Sequence, residues 1–226
     1  MMDKVSYVIR QQKLTFVLTT PLRTNHPIAD HIHKHGDGVK VLALWVDDAT
    51  KSYNSTVERG AKSIAEPTTL KDEHGEVVVA SIATYGETIH TFVERKNYKG
   101  VFMPGFKATP KDTISKPIGL KFVDHCVGNV GWGEMDTWVK FYEDVMGFKI
   151  LLTFDDKDIS TEYSALMSKV VSNGNGYIKA TDFDEKTHRV LQCETCDSEG
   201  EIYVDESEIV ESYIDADNVT DRGKLH

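Results

Sequence analysis

Long apolar runs, basic excess and cysteine are what this 226-residue sequence has least of. No stretch of about 18 apolar residues occurs, so no membrane-spanning helix and no membrane partner are expected. The opening MMDKVSYVIRQQKLTFVL lacks a basic start, a long apolar segment and a small-residue cleavage site, so no signal peptide is expected. Cys126, Cys193 and Cys196 are the three cysteines. So sparse and odd a set argues against a disulfide framework and for a reducing compartment, the cytoplasm. Phosphate binding needs a basic face, and the formal net charge is −10, which argues against nucleic acid as a partner.

The charge is unevenly spread. Residues 180–226 hold 14 acidic and 4 basic side chains, whereas the first 179 residues hold 22 of each. The tail is therefore a different kind of sequence from the body. It is expected to be a solvated acidic surface or partly disordered.

What the body does contain is alternation. VSYVIR and LTFVLTT, on either side of a polar QQK turn, predict a hairpin. VKVLALWV predicts a buried strand. ATKSYNSTVERG predicts a helix ending at Gly60, and strands follow near 63–66, 76–85 and 87–96. Residues 100–119, broken by proline and glycine, read as a linker. The order then recurs. LKFVDHCVGNV predicts a strand, and MDTWVKFYEDVMG an amphipathic helix with Met135, Trp138, Val139, Tyr142, Val145 and Met146 on one face. FKILLTF, EYSALMSKVV and GYIK predict three more strands. Lys40-Val41-Leu42 aligns with Lys121-Phe122-Val123, and Gly60 with Gly147 after a six-residue insertion, which sets Leu44 against His125. The expected fold class is α+β, built from repeated βαβββ modules of about 80 residues whose paired sheets enclose a cleft.

Two groups of histidines are candidate ligands. HPIADHIHKHGDG places His26, His31, His33 and His35 within ten residues. On a helix His31 and His35 share a face and His33 points away. A metal site needs a third ligand, and the sequence nominates none, so the expectation is a polar, histidine-rich helix end. His125, inside an apolar strand run, reads by itself as a hydrogen-bonded core residue. Cys193 and Cys196 form one CxxC, half a zinc site, with His188 and Asp197 as conceivable completing ligands.

FVDHCVGNVGWGEMDTWVKFYEDVMGFK and FDDKDISTEYSALMSKVVSNGNGYIK resemble the 4-hydroxyphenylpyruvate dioxygenase family, of the vicinal oxygen chelate (glyoxalase-like) superfamily. So do VSYVIRQQKLTFVLTTPL, HIHKHGDGVKVLALWVDDA, ERGAK and TYGETIHTFVERKNYKG, so the resemblance runs from about residue 5 to 179. It implies an enzyme, a dioxygenase of tyrosine breakdown. Such an enzyme turns a 2-oxo acid, 4-hydroxyphenylpyruvate, and O2 into homogentisate and CO2 with Fe(II) as cofactor. It also implies iron held by two histidines and a glutamate. His125 matches the first of these ligands. Ser168 matches a serine near the substrate, against the alternative of a strand serine facing solvent.

The histidine-rich stretch falls in the family's iron-free N-terminal domain. The resemblance divides the chain into an N-terminal domain (1–99: the end of module one plus module two), a linker (100–119), the first catalytic-domain module (120–179) and an unassigned tail (180–226). The second histidine ligand, the glutamate and the C-terminal helix of the family find no match, so the modules read as truncated and the chain as weakly active or inactive alone. Two other readings stand beside this one. One is a hydroxymandelate synthase-like enzyme. The other is a non-catalytic ligand- or metal-binding module, in which a homo-oligomer would bring two copies of His125 to one cleft.

Overall fold

The computed structural model describes residues 3–109, 116–154, 160–161, 164–165, 167–175, 178–184 and 211–214. The hairpin forms as its alternation predicts: β1 (Lys4–Gln11) pairs antiparallel with β2 (Leu14–Pro21). Helix α1 (Pro27–His35) begins with proline, which has no N–H to leave unpaired there. The His26 ring accepts from the Ile28 N–H at 3.1 Å, and Gly36 closes the helix at a φ of 74°.

The first complete module runs β3 (Val41–Trp45), α2 (Ala49–Glu58), β4 (Ser63–Asp72), β5 (Gly75–Ala83) and β6 (Ile89–Glu94). Asp48 caps α2, accepting from the Lys51 N–H at 2.8 Å. The second module runs β7 (Cys126–Val130), α3 (Met135–Asp144), β8 (Lys149–Phe154), two short strands β9 (Ser160–Thr161) and β10 (Ser164–Ala165), β11 (Met167–Ser172) and β12 (Lys179–Asp184). β13 (Glu211–Ile214) lies between β2 and β3, so four residues of the acidic tail join the first sheet as strand.

The first sheet has the order β1-β2-β13-β3-β6-β5-β4 and the second β7-β12-β11-β8. In each module the first and last strands are parallel neighbours, β3 with β6 and β7 with β12. One apolar cluster joins Tyr53 of α2, Tyr142 and Val139 of α3, Ile82 and Phe92 of the first sheet, and Val171 and Ala180 of the second. The two helices therefore fill the layer between the sheets. Burying each of these large side chains stabilises the packing by about 1.5–3 kcal/mol. Tyr85 adds a contact across the layer: its ring packs on Gly128, where an added Cβ would lie 2.2 Å from the Tyr85 hydroxyl oxygen.

Several expectations need correction. β7 starts 85 residues after β3, and α3 starts 86 after α2, so the repeat aligns without a six-residue insertion. Leu44 lies inside β3 and faces the cluster that α2 and α3 share, whereas His125 precedes β7, so the two do not occupy matching positions. The sequence alignment set the strands 81 residues apart where the structure has 85, because the apolar run LKFVDHC extends ahead of β7. Burial continues past residue 100. Tyr98 and Phe102 are buried with Val77 and Val93 against the outer face of the first sheet.

Candidate functional site

Alternation sorts the second sheet into two faces. Cys126, Ala180 and Val171 are register partners, and all three join the cluster around α3. Asn129 and Ser168, each in register with Phe183 of β12, have the opposite parity and lie on the face turned away from α3. His125 stands one residue before β7 and has the parity of Val127 and Asn129. The fold thus puts His125 and Ser168 on one face of one sheet. They do not touch: four residues of strand separate their levels, roughly 13 Å along the chain direction.

His125 is not the core residue its apolar neighbours suggest. Its side chain is 50% exposed, and β7 starts after it. Its Nδ1 lies 3.0 Å from Asp124 Oδ2, so the ring donates there and turns Nε2 outward with its lone pair. That is how a carboxylate sets the tautomer of a metal-binding imidazole. The His125 hydrogen bond, helped by Lys179 at 3.4 Å, holds the Asp124 carboxyl below the usual carboxylate range. Ser168 is 3% exposed, which removes the solvent-facing reading.

Fe(II) is the cofactor the resemblance implies, and the residues present fit one of its three protein positions. Among the described residues no trio of histidine, cysteine or carboxylate ligands includes His125. Cys193, Cys196, His188 and Asp197 lie outside the described residues. No helix among the described residues is long and apolar enough to cross a membrane.

Sequence reasoning missed one buried polar pair. His90 of β6 is 3% exposed, with Nε2 3.0 Å from the Tyr142 hydroxyl and Nδ1 3.4 Å from the Leu42 carbonyl. Burial pushes its pKa down to about 4, so it is neutral near pH 7 and stitches the first sheet to α3. A histidine in HTFVE carries no local signal of a partner 52 residues away.

Residues 123–196 match the model of the Glyoxalase/Bleomycin resistance protein/Dioxygenase superfamily. The chain is 45% identical over 186 residues to 4-hydroxyphenylpyruvate dioxygenase of Yarrowia lipolytica, covering 78% of this chain and 47% of that protein. It is 43% identical over 180 residues to the enzyme of the same name from Dictyostelium discoideum, covering 77% of this chain and 49% of that protein. The chain thus spans about half the length of the curated relatives it matches. Among solved structures, a mutant of 4-hydroxymandelate synthase from Streptomyces coelicolor superposes with a TM-score of 0.68 at 23% identity, covering 85% of this chain and 54% of that one. That likeness shows the shared fold.

Proposed function

This chain is homologous to the 4-hydroxyphenylpyruvate dioxygenases over 78% of its length, and from that premise we propose that it carries the first-ligand half of an Fe(II) dioxygenase acting on 4-hydroxyphenylpyruvate and O2. The observation that carries the reading is the Asp124–His125 pair, which presents Nε2 on the same face as Ser168. When bound, Fe(II) supplies Lewis acidity toward the 2-oxo acid and activates dioxygen.

The chain's own residues do the rest. Asp124 fixes the His125 ring in the tautomer that binds metal, and Lys179 steadies Asp124. Ser168 offers a hydroxyl from a nine-tenths-dry position, where a hydrogen bond to substrate is not diluted by water. Val127 and Leu152, 37% and 52% exposed, give the same face apolar surface for an aromatic ring. The product in this reading is homogentisate with CO2. The few cysteines favour a reducing compartment, so this reading assigns the chain to the cytoplasm, and pairing between chains would add ligands to the open face.

The test is Fe(II) binding and oxygen uptake by the purified chain with ascorbate and 4-hydroxyphenylpyruvate, with product identification. One ligand predicts weak, His125-dependent Fe(II) binding and no turnover by these 226 residues alone. Iron held equally well by His125→Ala would remove His125 from the site. Homogentisate formation would show that the tail or a second chain supplies the missing ligands. 4-Hydroxymandelate as the product would select the other reaction on the same substrate.

A further inference from the structure

The histidine helix finds the third ligand that its own sequence does not contain. β5 and β6 are joined through Gly86, whose φ of 59° reverses the chain there. This turn delivers Glu87 to the α1 face that carries His31 and His35. Glu87 Oε2 lies 3.0 Å from His35 Nε2 and 3.6 Å from His31 Nδ1. All three candidate ligand atoms lie within 4.8 Å of one another. Zinc bonds of about 2.0–2.1 Å in a tetrahedron set ligand atoms about 3.3 Å apart, so the two measured edges bracket the value a bound ion requires.

The polar contacts on the carboxylate are divided. Oε1 takes the Lys34 ammonium, which leaves Oε2 to the histidines. The Lys40 ammonium holds the Glu87 backbone carbonyl. Lys34 and His35 both pair with the Glu87 carboxylate. His31 is 11% exposed, and both its ring nitrogens are buried without a hydrogen-bond partner. A buried imidazole with no hydrogen-bond partner is costly, and a cation held between His31 and Glu87 Oε2 would satisfy it. His33 is exposed and takes no part. A cleft of about 860 Å³ between α1 and the β1–β2 hairpin opens onto His31 and Glu87.

We propose that His31, His35 and Glu87 form a metal site separate from His125, binding a zinc-class divalent transition-metal ion through two imidazole nitrogens and one carboxylate oxygen, with the fourth position open to a water in the cleft. Two histidines at i and i+4 on one helix face are an established way to hold such an ion, and imidazole and carboxylate suit its borderline character. The lysines set the limits of the site. Their charges oppose a cation, and Lys34 competes for the carboxylate, so affinity is tuned by Lys34.

The proposal stands independently of the dioxygenase reading. Its test is Co(II) titration of the metal-stripped full chain, followed by visible absorption, with Zn(II) displacing the signal. One equivalent should bind. His35→Ala and the isosteric Glu87→Gln should each weaken it at least ten-fold, with circular dichroism confirming the fold. Lys34→Ala, which frees Oε1, should tighten it. His125→Ala, and Cys193→Ser with Cys196→Ser, should leave it unchanged. Binding that survives both His35→Ala and Glu87→Gln, weakens in Lys34→Ala, or vanishes with either control would overturn the site.

Discussion

In the first module Val77 and Val93 face away from α2 and are 0% and 2% exposed, because Tyr98 and Phe102 fold back over them. In the second module the face away from α3 leaves Val127 37% and Leu152 52% exposed, with His125 beside them. Both modules follow one chain path. The first uses that face as core, and the second leaves the part of it around Val127 and Leu152 open. A βαβββ module therefore does not dictate whether that face is structure or site. What packs onto it does.

Breaking the covered face should cost most. Phe102→Ala removes a 5%-exposed ring from that cover and should destabilise the chain by about 3–5 kcal/mol in urea unfolding. A loss below about 1 kcal/mol would mean the segment around Phe102 is not part of the core.

Acid should weaken the layer that joins the modules. Folded His90 has its pKa depressed from 6.5 to about 4, so the unfolded chain binds the extra proton first. The stabilisation is complete above pH 6.5 and is lost as pH falls toward 4. At about 1.4 kcal/mol per unit, the loss is on the order of 3 kcal/mol. Unfolding free energy measured against pH in the wild type and His90→Gln checks this. Equal slopes between pH 6.5 and 4 would contradict it.

Gly128→Ala forces a Cβ against the Tyr85 ring and should cost about 1–3 kcal/mol. The cost should shrink when Tyr85→Ala is added, a non-additivity that a double-mutant cycle reads directly. Leu152→Ala, on the open face, should change stability by no more than about 0.5 kcal/mol. A core-sized loss there would erase the contrast between the two faces.

Much of this was legible from local chemistry. The Pro27 start and Gly36 stop marked α1, Gly60 marked the end of α2, and the apolar spacing from Met135 to Val145 marked the buried stripe of α3. The family resemblance singled out His125 and Ser168. Three features were not readable. The start of β7 was hidden because LKFVDHC continues the apolar pattern, although pairing with the second sheet begins only at Cys126. The burial of Phe102 depends on a fold-back onto a sheet, which periodicity cannot register. Glu87 follows a turn glycine and meets His35 across 52 residues, a closeness that only the topology of β5, β6 and α1 creates.

The most direct test of the central claim is methyl NMR of the chain titrated with 4-hydroxyphenylpyruvate in the presence of Fe(II). The account predicts shifts and paramagnetic broadening at Val127 and Leu152, abolished by His125→Ala, with Val77 and Val93 unmoved. Perturbation centred on Val77 and Val93, or a response at Val127 that survives His125→Ala, would contradict it.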